Sequence, residues 1–152
     1  MLEPIILVDA DACPVKDEIY KVAMRKQVPV IVVANSYLRI PEHKLISRKI
    51  VSDGFDAADD YIAEISGAHC VVVTADILLA DRCLKAGALV ISNKGKPFDG
   101  NNIGNAIAVR AIMADQRAGL NQTGGPAPFK PADRSRFLSA LDEALVALEK
   151  RT

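Results

Sequence analysis

Four short, unbroken apolar runs, most of them followed by a stretch with helical spacing, constrain this chain more than any other feature. The first, Ile5-Ile6-Leu7-Val8, stops at Asp9. An apolar run without polar alternation marks a strand buried on both faces, as in a parallel sheet. After it, Pro14 suits a first helical position, and Val15, Ile19 and Val22 carry a helix to about Lys26. Val28 to Ala34 repeats the strand pattern, with Pro29 tolerable at its start. A short strand is expected at Lys49-Ile50-Val51, then a helix capped by Asp56, with Ala58, Ile62 and Ile65 on its apolar stripe and Gly67 at its end. Cys70 to Thr74 is the third run. Asp76 then opens a helix holding Leu79, Cys83 and Leu84, which Gly87 stops before Ala88-Leu89-Val90-Ile91.

Such β-α alternation predicts right-handed crossovers and a three-layer α/β sandwich around a central, mostly parallel sheet. The rhythm breaks from Asn93 to Gly100, and Ile103, Ala106, Ile107 and the 110–114 segment resume a helical pattern. A Gly- and Pro-bearing loop over 119–131 precedes a last amphipathic helix over 133–150, with Phe137, Leu141, Leu145 and Leu148 on one face. The 152 residues are expected to form one domain, the last helix packing on the rest.

No apolar run approaches the roughly 20 residues of a membrane span, and the N-terminus lacks the pattern of a signal peptide, so the expected compartment is the cytoplasm, with no membrane partner. Cys13, Cys70 and Cys83 form no C-x-x-C pair and read as reduced thiols. Nineteen basic and nineteen acidic residues cancel, which argues against coating nucleic acid through the overall field. The charges are nevertheless segregated. Arg39, Lys44, Arg48 and Lys49 stand against a single Glu42, and the next segment holds Asp53, Asp56, Asp59, Asp60 and Glu64.

In open α/β sheets ligands gather beyond the carboxyl ends of the strands. Three exits carry polar groups: Asp9-Ala10-Asp11, Asn35-Ser36 and Thr74-Ala75-Asp76. If the first segment stays extended, Asp9 and Asp11 point the same way and repel, and a divalent cation relieves that repulsion. Asp76, then Asp81 from the following helix, and Asp59 or Asp60 from a helix start are candidate partners. Oxygen ligands without a His or Cys cluster favour Mg2+ or Mn2+ over zinc, so His43 and His69 read as surface or binding residues. A structural reading competes for each acid. Asp11, Asp56 and Asp76 sit where helices begin, and Asp59 follows Asp56 by three, as in a capping box.

Tyr37, Arg39, Lys44, Arg48 and Lys49 suit a phosphate backbone and a stacked base, or equally a solvated face. Asn35, Ser36, Arg39, Lys44, Arg48, Thr74 and Lys94 are the candidate substrate-binding residues. Lys94 and Lys96, with the Gly124-Gly125 loop before Arg134 and Arg136, form a further candidate phosphate site.

Taken together, Asp9-Ala10-Asp11-Ala12-Cys13-Pro14, Asp56-Ala57-Ala58-Asp59-Asp60, Thr74-Ala75-Asp76-Ile77-Leu78-Leu79-Ala80 and Gly124-Gly125-Pro126 through Asp133-Arg134-Ser135-Arg136-Phe137 resemble the bacterial YaiI/YqxD family over nearly the whole chain. That family is grouped with PIN-like nuclease domains. The resemblance implies a parallel sheet with an acidic pocket that binds Mg2+ or Mn2+ and cuts RNA phosphodiesters. Under it the first-strand acid matches Asp9, the helix acid Asp59 or Asp60, and the late-strand acids Asp76 and Asp81, while Asp11 belongs to the family's Asp-x-Asp motif. The expected activity is a metal-dependent ribonuclease in which an activated water attacks phosphorus in line.

Two other classes remain open at this point. An apolar strand followed by Asp-x-Asp also resembles haloacid-dehalogenase-type phosphatases, with Asp9 as nucleophile, although Cys13-Pro14 departs from their pattern and no cap domain is evident. The other is an RNA-binding module without turnover. Substrate, metal and oligomeric state are not legible in the sequence.

Overall fold

The computed structural model describes residues 3–11, 13–52, 56–120 and 129–151, with 114–120 described by backbone alone. Its elements are β1 (Ile5–Asp9), α1 (Lys16–Lys26), β2 (Val30–Ala34), β3 (Ile46–Ile50), α2 (Ala57–Ile65), β4 (Cys70–Val73), α3 (Ile77–Lys85), β5 (Leu89–Ile91), β6 (Pro97–Phe98), α4 (Ile103–Leu120) and α5 (Pro131–Arg151). The strands form one six-stranded sheet in the order β3-β2-β1-β4-β5-β6. All neighbours are parallel except β6, which runs antiparallel to β5.

Strand parity explains the apolar runs. Ile6, Val8, Val30, Val32, Val71 and Val73 turn to one face and pack with α1 and α5. Leu7, Val33, Cys70, Val72 and Val90 turn to the other, against α2, α3 and α4. Each fully buried side chain of this size contributes roughly 1.5–3 kcal/mol. A run covered on both faces has no solvated side to alternate with. The three-layer α/β sandwich expected from the sequence is therefore present.

The chain builds β1, β2 and β3 toward one edge, then returns through α2 to place β4 on the far side of β1. Right-handed crossovers in opposite directions put α1 on one face and α2 and α3 on the other. Only one crossover helix then covers the first face. The last helix, α5, fills the gap, packing against α1, β4 and β5 with Phe137, Leu141, Leu145 and Leu148 buried. It is tied at both ends. Arg151 donates to the carbonyls of Ala68 (3.0 Å) and Gly87 (2.9 Å). At the other end Gly95, at φ +85°, lies so close to α5 that a Cβ there would sit 2.5 Å from the Arg136 carbonyl carbon.

Several sequence expectations shift. The third strand spans Ile46–Ile50 rather than 49–51, because it is an edge strand in which only Ile46 is buried and the polar Ser47-Arg48-Lys49 hides its periodicity. Its Arg and Lys also suit an unpaired edge, which charged side chains guard against further pairing. Pro14 lies in a turn and α1 starts at Lys16, with Val15 rather than Asp11 at its cap position. Asp56 holds the cap position of α2 with φ 66° and makes no side-chain capping bond, so the capping box with Asp59 is not formed. The helix expected over 103–114 continues to Leu120, and the last helix begins at Pro131 rather than 133. The two-residue β6 is too short to leave a pattern. Asp53 and the Gly124-Gly125 pair of the expected loop lie outside the described residues. Among the described residues no helix is long and apolar enough to cross a membrane.

Candidate functional site

The order of strands places a topological switch between β1 and β4, where the chain leaves toward opposite faces and a crevice opens beyond the strand ends. Asp9, the last residue of β1, has the same parity as Leu7 and so faces the α2 and α3 side. The residue is 7% exposed. Across the switch, the Thr74 hydroxyl donates to Asp9 Oδ2 at 2.8 Å and accepts the backbone N–H of Asp76 at 3.0 Å. One threonine thus couples the two central strand exits. Burial pushes the Asp9 carboxyl above its ordinary range, against the Thr74 hydrogen bond, which pulls it down.

Asp59, on the first turn of α2, completes the cluster. Its carboxyl is pushed up to about 7 by burial first, then by the charges of Asp76 and Asp9 and a hydrogen bond with the Asp76 side chain. Carboxyls so placed disfavour one another's ionised form, and the cost falls on Asp59, whose own ionisation is held back to about 7. Asp76 has a second task. Its Oδ1 accepts the backbone N–H groups of Leu78 (2.9 Å) and Leu79 (3.3 Å) and caps α3, an interaction of about 1 kcal/mol.

The other predicted acids fall outside this network. Asp11 follows the end of β1 in a turn and is exposed, and its backbone N–H, 3.4 Å from Asp9 Oδ1, makes the link to Asp9. The extended segment expected to converge the two carboxylates is absent. Of Asp59 and Asp60, Asp59 neighbours Asp76 and Asp9, while Asp60 points to Arg82 at 2.8 Å. Asp81 pairs with Lys85 on its own helix at 3.0 Å.

On the β2 side of Asp9 a cleft of ≈ 470 Å³ opens, lined by Asp9, Asp11, Lys16, Asn35, Ser36 and Leu38 among others. Asn35 and Ser36 therefore join Asp9, as their strand-exit positions foretold. Lys16 was not foreseen. Its Nζ donates to the Cys13 carbonyl at 3.1 Å, which folds the side chain back along the cleft wall. A lysine in a first helical turn looks like surface in sequence.

Beyond the cleft, Arg39 and Lys44 are exposed in the segment between β2 and β3, and the Arg48 guanidinium lies 4.5 Å from the Tyr37 ring centroid. Lys49 sits 5.6 Å from the ring of Tyr61 on α2. Lys94 belongs elsewhere, in the turn after β5. There the backbone N–H of Lys130, with Arg136 and Lys94 adding, holds the Asp133 carboxyl below the ordinary carboxylate range. Arg134 is engaged by Glu18 of α1 at 2.8 Å.

By donor type, Asp9, Asp59, Asp76 and the Thr74 hydroxyl suit a hard divalent cation. Among the described residues, though, no group of three or more His, Cys, Asp or Glu side chains is already arranged to hold a metal ion. Asp76 is engaged with the α3 cap and with Asp59, so holding a metal ion would require local rotation of those two side chains, while Asp9 is already oriented by Thr74.

Comparison with known proteins matches residues 7–147 to the model of a family described as "Uncharacterized BCR, YaiI/YqxD family". A UPF0178 protein of Sphingopyxis alaskensis is 64% identical over 151 residues, covering 99% of this chain and 98% of the relative. A UPF0178 protein of Nitrobacter winogradskyi is 59% identical over 140 residues, covering 92% and 89%. One of Bradyrhizobium diazoefficiens is 56% identical over 146 residues, covering 96% and 87%. No solved structure matches the chain.

Proposed function

Within the YaiI/YqxD family, to which this chain belongs, we propose that it acts as a divalent-metal-dependent phosphodiesterase on RNA, a PIN-like nuclease, with Asp9, Asp59 and Asp76 as the acidic centre. One observation carries the reading: Asp9, Asp59 and Asp76 gather at the β1–β4 switch, with Asp9 and Asp76 both bonded to Thr74 and Asp59 pushed up to about 7 by burial and by Asp76 and Asp9. The described residues bring no cation into hydrogen-bonding contact with these three acids, and a divalent cation supplies the missing neutralisation. Mg2+ or Mn2+ bound there would polarise a phosphoryl oxygen and lower the pKa of water.

The chain's own groups divide the remaining work. Thr74 fixes the Asp9 carboxylate through its 2.8 Å hydrogen bond, so its orientation is set before any ligand arrives. Asp59 yields its proton when the cluster is neutralised. Lys16, Asn35 and Ser36 line the adjoining cleft, where an ammonium and neutral polar groups suit a phosphodiester. Arg39, Lys44 and Arg48 extend the basic character along the strand that leaves the cleft.

The test combines Mn2+ titration by calorimetry with cleavage of end-labelled RNA by the wild type, Asp9→Asn and Asp76→Asn. Expected are Mn2+ binding with proton release near pH 7 and RNA cleavage that both substitutions abolish. The reading falls if Mn2+ does not bind and Asp9→Asn leaves every RNA-cleaving activity intact. Trapping of beryllofluoride on Asp9 would move the assignment to a phosphatase.

A further inference from the structure

Tyr37 is 71% exposed, the most exposed large apolar side chain among the described residues. It follows Ser36 and precedes Leu38, both of which line the cleft, so its Cα lies about 3.8 Å from each of theirs. The residue therefore sits beside the cleft wall. One side of it meets the Arg48 guanidinium at 4.5 Å. Such a cation–π contact restricts the ring before anything binds. The exposure shows that much of the ring stays open to solvent.

Edge protection accounts for Arg48 and Lys49, since both lie on the outer strand β3. It does not account for Tyr37, which is not part of that strand and guards no backbone. A largely exposed aromatic ring, braced by arginine in a segment that also carries exposed Arg39 and Lys44, has the composition of a single-strand stacking platform. We propose that Tyr37 and Arg48 form a stacking subsite for one unpaired base next to the phosphodiester held in the Asp9 cleft, so that the substrate is single-stranded there. A base inside a duplex has both faces covered and cannot use the ring. The inference rests on the RNA-directed reading above, and its test separates the two.

The chain contains no tryptophan, so Tyr37→Trp places a lone reporter beside the cleft. In an Asp9→Asn background, to stop turnover, this protein is titrated with a mixed-sequence single-stranded RNA and with a duplex of the same length. Tryptophan quenching is expected with the single strand and not with the duplex. In a chain without the tryptophan reporter, Tyr37→Ala should weaken single-strand binding by about 5- to 140-fold, the range of one base–aromatic stack, and Tyr37→Phe should restore it. Unchanged affinity in Tyr37→Ala, unchanged fluorescence while anisotropy reports bound RNA, or no single-strand binding at all would each overturn the inference. Stacking without cleavage by the wild type under any divalent ion would keep the subsite and remove the nuclease reading. Cleavage untouched by Tyr37→Ala would do the reverse.

Discussion

Replacing Asp59 by Asn isolates the electrostatic strain at the centre of the site. The wild-type carboxyl lies at about 7 in the folded chain against an ordinary value of 3.8, because burial and the charges of Asp76 and Asp9 disfavour its ionised form. A raised carboxyl makes the folded state hold its proton longer than the unfolded chain does. Its favourable contribution is therefore fully present below 3.8 and is lost as pH rises through about 7. The full span corresponds to about 4 kcal/mol. Asp59 is only partly buried, and solvent screening reduces this to about 1–2 kcal/mol. An Asn amide can still donate to Asp76 and adds no charge. In EDTA at pH 8, Asp59→Asn should be more stable than the wild type by that amount, a rise of about 2–8 °C in Tm for a chain of this size. The gain should shrink as pH falls from 7 toward 4. Urea unfolding followed by far-UV circular dichroism measures it without a tryptophan. A variant no more stable at pH 8, or one with the same gain at pH 4.5 and pH 8, would refute the electrostatic argument. Saturating Mn2+ should stabilise the wild type and leave the variant largely unmoved.

Asp76 separates its two roles by substitution: Asp76→Asn keeps an acceptor for the Leu78 and Leu79 N–H groups and should cost under about 0.5 kcal/mol, whereas Asp76→Ala should cost about 1 kcal/mol in urea titrations. Both should lose Mn2+ binding by calorimetry. Thr74→Val removes the donor to Asp9 Oδ2 and should weaken Mn2+ affinity about 10- to 100-fold, with Thr74→Ser restoring most of it. Gly95→Ala forces a Cβ to within 2.5 Å of the α5 backbone at φ +85° and should lower stability by at least about 2 kcal/mol, read as a fall in Tm. Phe137→Ala, in the fully buried face of α5, should lose about 3–5 kcal/mol in the same assay.

The layered α/β class and the position of β1, β4 and α3 were legible because burial on both faces removes alternation and leaves plain apolar runs. So was the gathering of polar groups at the strand exits, which placed Asp9 beside Thr74 and Asp76 and on one cleft with Asn35 and Ser36. Edge strand β3 was misplaced because a half-exposed strand of mixed residues carries no clear period. Composition also gave no reason for the last helix to run along the sheet face. That follows from the single crossover on that side leaving apolar surface uncovered.

Local sequence sets what a residue can do, and the approach of distant segments sets what it does. From the chain alone, Asp9, Asp11, Asp59, Asp60, Asp76 and Asp81 were six acids with overlapping claims as caps or ligands. Folding brings α2 and the β4 exit against the end of β1, so that Asp59 and Asp76 acquire Asp9 as a neighbour and Asp59 is driven up to about 7. The same folding hands Asp60 to Arg82 and Asp81 to Lys85, and turns Asp11 out to solvent. Coulomb energy depends on separations of a few ångströms between residues up to 67 positions apart, such as Asp9 and Asp76, and no one-dimensional pattern records those separations.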